Sequence, residues 1–364
     1  MKSRSTSVIV AALAAMISAN PAQAGGLKQV AEISIPGDPI TDIGIMDIDQ
    51  TTGLGYLADK TNKSVVVFDT KADKFVARIA ARLPFPAEGF VGLLKDGNAS
   101  GPNGVVVVKG GAEVWVSDGD STIKVIDTKT GNITATIVTG GTKRANGMAL
   151  GEDIGVVIVA NSNDDPPFLS FISTAPDHKI LAKIPIPESG ENLERSAYHV
   201  PSRMFYTAIP VSRADTTKGL LAQTDPKNSK LVKLHELACH PHSLSIVSDS
   251  TIFLGCSSVH GPSPKPGGDM AIFDITAGKV ETYLTGYGGN GGSTVNRKLG
   301  HYYHSTSGGM LMVVDTKTKR GLQQIPTSNG ARSLGVSLAN NRVYVATTAK
   351  ELACRGCIVV YAPE

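Results

Sequence analysis

The sequence of 364 residues predicts an all-β fold built from seven similar units, and three observations support this prediction. One phrase recurs along the chain, an apolar run that ends on a small or polar residue and then a second run that ends near Asp-Thr. Runs of Val, Ile, Tyr and Phe alternate with turn dipeptides, and no amphipathic helix of useful length is indicated. Aromatic residues make up only 5% and Gly numbers 39, as in thin sheets packed face to face. Units of about 49 residues with four strands each predict a seven-bladed β-propeller.

The repeat has six full copies and a partial seventh copy at the end of the chain. The first apolar runs of the full copies share a pattern of the Tyr-Leu-Ala-Asp kind and lie at 56–59, 115–118, 158–161, 205–208, 253–256 and 302–305. The third and fourth copies depart from the pattern in their Asp-Thr turns. The last copy stops after Cys357–Tyr361 without an outer strand, whereas residues 27–35 match the outer-strand phrase at 74–79. We therefore expect the N-terminal strand to join the last blade and cover its open edge.

Residues 1–24 are predicted to form a secretory signal peptide. Lys2 and Arg4 precede an apolar run, and Ala22-Gln23-Ala24 has the small-x-small form of a cleavage site. The leader is too short for a membrane span, and no later segment is apolar enough to predict one. Its removal takes two cations from the formal net charge of +3, which leaves +1 and indicates no nucleic-acid partner. The expected product is a single domain over 25–364, a periplasmic or secreted monomer.

The units resemble the YVTN-type repeat of seven-bladed β-propellers found in exported bacterial proteins. Tyr344-Val345-Ala346-Thr347, Tyr56-Leu57-Ala58-Asp59 and the Asp-Thr turns carry the likeness, which covers essentially the whole mature chain. The resemblance implies the fold but no single activity, because the family includes proteins thought to be scaffolds, binding proteins and enzymes.

A set of equivalent positions at the start of the innermost strands gives the strongest functional signal. Counting back 11 or 12 residues from each Tyr-Val-Ala-like phrase finds Gly44, Asn103, Asn146, Glu194, His242, Asn290 and Arg332. In a propeller these seven positions, which we call the ring, surround one mouth of the central channel. Glu194, His242 and Arg332 are the candidate catalytic residues. The candidate ligand-binding residues are Asn103, Asn146, Asn290, His260 and His304.

The ring also has a structural interpretation. Asn and Gly are common where strands begin, since they tolerate unusual backbone angles and bond to main-chain groups. A charge cluster in a cleft can likewise be a structural ion pair.

Histidines of the fifth and sixth repeats suggest a metal site near the ring. His240 and His242 lie on either side of Pro241, and His260 and His304 are expected on the same face. Neutral imidazoles of His240 and His242 together with the Glu194 carboxylate would suit a divalent metal such as zinc or copper. The alternative is an ordinary hydrogen-bonded or solvated ring. That interpretation is also given to the remaining histidines, including His178, His199 and His235.

Four cysteines, all in the mature chain, are predicted to form the disulfides Cys239–Cys256 and Cys354–Cys357. A redox Cys-x-x-Cys would need a helix N-terminus to lower a thiol pKa, but Cys354–Cys357 leads into a strand. No Cys-x-x-Cys-His motif occurs, so covalent haem is not indicated.

Five long connections are expected on the face of the ring, where they would serve binding or gating. They lie at 80–102, 161–168, 209–219, 257–268 and 347–357. The Asp-Thr turns are expected on the opposite face as capping turns, at Asp69, Asp127, Asp274 and Asp315.

These patterns are consistent with two functions. In the first, an exported propeller binds a small polar or anionic molecule in the axial funnel. Arg332 would pair with its carboxylate, and Glu194 and His242 would perform lactonase-like or lyase-like acid and base chemistry. In the second, a scaffold without catalysis binds an envelope protein or a polymer through the loops of the ring's face. The sequence contains no nucleophile elbow, phosphate loop or nucleotide fingerprint, which disfavours a typical hydrolase or dehydrogenase and a nucleotide cofactor.

Overall fold

The computed structural model describes residues 26–79, 89–257, 268–349, 354 and 356–364, and within them 28 strands form seven antiparallel sheets of four. In six sheets the strands pair in chain order, so each sheet is a meander. The only helical elements in these residues are 3-10 turns at Gly97–Ala99, Lys109–Gly111 and Glu152–Ile154. The predicted all-β propeller with four-stranded blades is confirmed. The predicted leader at 1–24 lies outside the described residues and stays a prediction.

The strands of the first three blades follow one another along the chain. Blade 1 contains β2 (Ile43–Ile48), β3 (Leu54–Asp59), β4 (Ser64–Asp69) and β5 (Lys74–Ile79). Blade 2 contains β6 (Val105–Val108), β7 (Glu113–Ser117), β8 (Thr122–Asp127) and β9 (Ile133–Val138). Blade 3 contains β10 (Ala145–Gly151), β11 (Val156–Asn161), β12 (Phe168–Ser173) and β13 (Ile180–Pro185).

The last four blades continue this order, with β1 joining the final one. Blade 4 contains β14 (Ser196–His199), β15 (Met204–Ile209), β16 (Gly219–Asp225) and β17 (Lys230–Leu237). Blade 5 contains β18 (His240–Ser248), β19 (Thr251–Ser257), β20 (Asp269–Asp274) and β21 (Lys279–Thr285). Blade 6 contains β22 (Gly291–Asn296), β23 (His301–Thr306), β24 (Met310–Asp315) and β25 (Arg320–Pro326). Blade 7 contains β26 (Ser333–Ser337), β27 (Arg342–Ala346), β28 (Cys357–Pro363) and β1 (Leu27–Ser34).

The N-terminal strand β1 closes the ring of blades, as the sequence predicts. It pairs antiparallel with β28, from Leu27 opposite Pro363 to Ser34 opposite Cys357. A bulge between Gln29 and Ala31 changes which way the side chains face, so Leu27 packs towards blade 6 and Ile33 towards blade 1. This strand therefore covers the edge of β28 and also seals the interfaces on both sides of blade 7.

The core of the molecule lies between the blades. Seven clusters of buried apolar side chains occur in the described residues, one for each pair of adjacent blades. Between blades 2 and 3, for example, the fully buried Trp115 packs with Val125, Met148 and Val157. Because each blade buries both faces against its neighbours, the innermost strands are held in a closed circle around the axis.

The fold gives the molecule two distinct ends. The connections that enter each blade and those between its second and third strands share one end, which we call the ring face. At the other end, Asp69, Asp127, Asp274 and Asp315 each accept backbone N–H bonds within the turn that follows. The predicted capping role of these aspartates is confirmed. No helix among the described residues is long and apolar enough to span a membrane.

Candidate functional site

Six of the seven ring positions line a single pocket at the mouth of the channel. These are Gly44, Asn103, Asn146, Glu194, Asn290 and Arg332. The pocket encloses about 240 Å³, below the roughly 300 to 1,000 Å³ of pockets for drug-sized ligands. Repeat counting thus located the pocket, and its size suits a molecule of few heavy atoms.

Backbone contacts between adjacent blades fix the positions of the ring residues. The Ile45 amide donates to the Asn103 carbonyl oxygen at 2.6 Å, so blade 2 is bonded directly to blade 1 at the rim. The same carbonyl leaves no room for a Cβ atom on Gly44. This close approach explains why the ring position in blade 1 is a glycine.

Four cationic side chains converge on the pocket: Lys60, Arg144, Arg195 and Arg332. Arg332 Nη2 donates to Asp42 Oδ1 at 2.5 Å and to the Ile43 carbonyl at 2.9 Å. Lys60 Nζ lies 3.5 Å from the other oxygen of Asp42. Two carboxylates, Asp42 and Glu194, interact with these four cations, which gives these six residues a formal excess of two positive charges. The Asp96 carboxylate also attracts Arg144.

Burial lowers the pKa values of two of these arginines, Arg195 and Arg144. Desolvation lowers the pKa of Arg195 to about 10, opposed by the nearby Glu194 carboxylate. It also lowers the pKa of Arg144, whose buried Nε has no hydrogen-bond partner in the described structure. Arg195 further lines a second cavity of about 210 Å³ between the innermost strands of blades 1, 6 and 7. Arg144 and Arg195 both line the pocket at the mouth of the channel, and guanidinium groups pair well with anions.

Glu194 is a carboxyl group subject to opposing influences. Desolvation raises its pKa above the ordinary value of 4.5, while Arg144, Arg195, Arg332 and Lys60 oppose that rise. A partly buried carboxyl whose pKa is raised next to guanidinium groups can exchange a proton with a bound molecule.

The three ring asparagines differ in their surroundings. Asn103 Nδ2 donates to the carbonyls of Ser100 at 2.8 Å and Ala145 at 3.1 Å, so its amide bridges blades 2 and 3. Asn146 Nδ2 makes a longer bond of 3.4 Å to Leu193 O in the next blade. Asn290 is exposed, and no side-chain hydrogen bond is found for it in the described structure. The structural interpretation therefore applies to Asn103, and Asn290 has the amide most open to a ligand.

His242 is the ring residue that does not line the pocket. It sits at a bulge inside β18, between Pro241 and Ser243, and its Nε2 lies 3.1 Å from Ser257 Oγ. Desolvation lowers its pKa to about 4. His242 therefore does not belong to the pocket lining that Glu194 and Arg332 share, contrary to the expectation that all three face one funnel.

The other candidate histidines also lie outside the pocket. His304 is fully buried, with Nδ1 3.3 Å from Ser243 Oγ and Nε2 3.2 Å from Gly289 O, and desolvation lowers its pKa to about 4. His240 Nε2 bonds to Thr216 O at 3.0 Å. His260 lies outside the described residues. The hydrogen-bonded interpretation fits His304.

The predicted metal ligands are not brought together. Within the described residues no group of three or more His, Cys, Asp or Glu side chains is arranged to hold a metal ion. His240 and His242 bond to Thr216 and Ser257 respectively, whereas Glu194 lies at the pocket. The expectation that His240, His242 and Glu194 together bind a metal ion is therefore wrong.

Both predicted cysteine pairs lie at bonding distance. Cys239 pairs with Cys256 and Cys354 with Cys357, each pair with a Cα–Cα distance of 5.7 Å. Cys239 directly precedes β18 and Cys256 lies in β19, so the first pair fixes the start of blade 5 to its second strand.

Comparison with known proteins shows the fold alone. No family model matches the chain, so the likeness to the YVTN-type family stays a resemblance, and no curated protein matches it. A solved structure titled Kuenenia stuttgartiensis Hydrazine Synthase has a TM-score of 0.70 at 14% identity, covering 90% of this chain and 96% of that one. One titled Structure of U3-55K has a TM-score of 0.69 at 9% identity, covering 93% and 98%. At such low identities the shared architecture establishes a β-propeller and no activity.

Proposed function

We propose that the protein binds a small anionic molecule, with one or two carboxylate groups or a comparable oxyanion, in the pocket at the ring face. The excess of two positive charges among Lys60, Arg144, Arg195, Arg332, Asp42 and Glu194 is the observation that carries this proposal. Guanidinium groups bind carboxylates and other oxyanions through pairs of hydrogen bonds. A dianion would balance the charge of the cluster.

Acid or base chemistry on the bound molecule would fall to Glu194. Its carboxyl lines the pocket and burial raises its pKa, so both protonation states are accessible nearer to neutral pH than for an exposed glutamate. A lactone, an ester or an acidic C–H next to a carboxylate would be a suitable substrate. His242 is left out of this role because its ring bonds to Ser257 instead.

Export and the scaffold function stay predictions. The two cysteine pairs support a location in an oxidising compartment. The scaffold alternative depends on the long loops, of which 80–88, 258–267, 350–353 and 355 lie outside the described residues. No contact in the described structure favours it over ligand binding.

Thermal unfolding in the presence of ligands tests the proposal. Malonate, acetate, sulfate and a small lactone would be added to the purified protein, with malonamide as the uncharged match for malonate. A ligand at 100 times its Kd stabilises the folded state by about 2.7 kcal/mol, which for a chain of this size raises Tm by about 4 °C. We expect this for malonate or sulfate and not for malonamide.

Matched variants assign the effect to the pocket. Arg332→Gln should reduce the shift, whereas Arg320→Gln, on the exposed outer strand β25, removes the same charge far from the mouth and should leave it intact. Equal shifts in wild type and both variants, or an equal shift with malonamide, would overturn the proposed function.

A further inference from the structure

Lys60 is a buried amine on the wall of the pocket with only part of an ionic partner. Its residue exposure is 4%, and it directly follows β3 at the ring face. The Asp42 carboxylate is its ion-pair partner, at 3.5 Å. That carboxylate also accepts the much shorter bond from Arg332. The ion pair of Lys60 with Asp42 is therefore longer than the one that Arg332 makes with the same carboxylate.

The groups around Lys60 disfavour its charged form. The pKa of Lys60 is lowered to about 8; burial is the largest cause, Asp42 opposes it, and Arg332 and Arg144 add to the lowering. Glu194, which lines the same pocket, is the remaining carboxyl that interacts with it. At mildly alkaline pH a substantial fraction of the Lys60 side chain is the free amine, which is the nucleophilic form.

Another buried lysine provides a comparison within the same chain. Lys124 has a residue exposure of 7% and lies 3.4 Å from the Asp120 carboxylate, so its burial and ion-pair distance match those of Lys60. It does not line the pocket. By contrast, the Lys218 side chain is 39% exposed and its pKa is raised, first by its hydrogen bond to Glu236. The guanidinium neighbours and the position on the pocket wall distinguish Lys60.

We propose that Lys60 is a nucleophilic amine that condenses with the carbonyl group of a small anionic oxo compound, a 2-oxo acid being the simplest case. This inference rests on the proposed function, because the arginines of the same pocket would hold the carboxylate of that compound. Such a compound places its carbonyl carbon one bond away from the carboxylate, and the pocket of about 240 Å³ has room for a molecule of that size.

The reaction balances without any further reagent. The Nζ lone pair forms a C–N bond while the carbonyl π electrons move to oxygen, which leaves Nζ positively and the oxygen negatively charged. The Glu194 carboxylate takes one proton from Nζ and gives it to that oxygen, which leaves a carbinolamine. Loss of water forms the C=N bond, so one amine and one carbonyl group yield one imine and one water molecule.

Reductive trapping tests this proposal on the wild-type protein. The full chain would be incubated with pyruvate and cyanoborohydride at pH 8, digested, and mapped by mass spectrometry. We expect the adduct on Lys60 to exceed that on Lys124 and Lys218 at least tenfold, and Lys60→Arg to remove it. Acetone, which has the carbonyl but not the carboxylate, should give no such selectivity.

The outcomes separate this proposal from the proposed function. An adduct at Lys60 no more abundant than at Lys124, or selective labelling with acetone as well, would overturn the inference. A thermal shift with malonate but no adduct at Lys60 would refute the amine and leave the anion pocket standing. The absence of both would refute the two proposals together.

Discussion

Replacing Asp42 with asparagine should make Lys60 more acidic. The change removes the carboxylate at 3.5 Å from Nζ and leaves the Arg332 guanidinium beside it without its hydrogen-bonded carboxylate. Two unit charges at 3.5 Å attract each other by about 1.2 kcal/mol in bulk water and by about 5 kcal/mol at an effective dielectric constant of about 20. The Asp42 side chain is 31% exposed, so a value towards the lower limit applies. We expect about 1 to 2 kcal/mol, which raises the acid dissociation constant of Lys60 roughly tenfold.

Trace acetylation over a range of pH measures this effect. Each lysine peptide is quantified by mass spectrometry, and the pH of half-maximal labelling reports its pKa. Asp38→Asn is the matched control, since Asp38 is an exposed residue of the same loop and has no ion pair in the described structure. A labelling curve for Lys60 that stays unchanged in Asp42→Asn, or that moves equally in Asp38→Asn, would refute the electrostatic argument.

Three further predictions concern closure, ligand charge and the first disulfide. Ile33→Ala in β1 should lower the free energy of unfolding, measured by chemical denaturation, by about 2 to 5 kcal/mol. Val30 is 41% exposed on the same strand, so Val30→Ala should change that free energy by less than about 0.5 kcal/mol. Equal effects would contradict closure by β1. Because the pKa of Glu194 is raised, its carboxylate takes up a proton as pH falls. Sulfate, which stays a dianion, should therefore bind more tightly at lower pH by calorimetry, and Glu194→Gln should flatten that dependence. An affinity of the wild type for sulfate that does not change with pH would contradict this prediction. Joint replacement of Cys239 and Cys256 by serine opens a loop with a sequence separation of 17 and should lower the free energy of unfolding by about 3 kcal/mol. Alkylation of the unreduced wild type, followed by intact-mass measurement, should find no free thiol. Two labelled thiols would contradict the pairing.

Repetition is the reason that so much of the fold could be predicted. Each blade repeats the same apolar runs, and a partial unit at one terminus together with a matching strand at the other predicts their pairing. The ring positions inherit that regularity, so a fixed count along the sequence placed Glu194 and Arg332 at the same pocket although they lie in different blades.

His242 shows where the count fails. In blades 4 and 7 the same count lands just before the first strand residue, Ser196 or Ser333, although the Glu194 amide still donates to the Ala208 carbonyl oxygen of β15. In blade 5, β18 already begins at His240, and His242 lies at a bulge within the paired region. Its ring is therefore positioned by the adjacent strand and bonds to Ser257. A bulge inside a strand does not by itself remove a side chain from the pocket, because Asn146 lies at one in β10 and lines the pocket. What distinguishes His242 is its bond to Ser257.

Arg144, Arg195 and Lys60 were missed for different reasons. Arg195 follows Glu194, and strict alternation would send the two side chains to opposite sides, but β14 starts only at Ser196 and alternation does not apply. Arg144 lies in the connection before β10, where the repeat gives no register.

A comparison of equivalent positions in the repeat would have identified Lys60 from the sequence. Four residues on from the start of each Tyr-Leu-Ala-like phrase lie Lys60, Gly119, Ser162, Ile209, Ser257, Thr306 and Thr348. Lys60 alone in this set is charged. A buried ammonium at a position that elsewhere holds small, hydroxyl or apolar side chains costs folding free energy through desolvation, and the shared Asp42 carboxylate offsets only part of it. A hydroxyl or apolar residue there would satisfy the fold without that cost, and the position of Lys60 on the pocket wall is what distinguishes it from the equally buried Lys124.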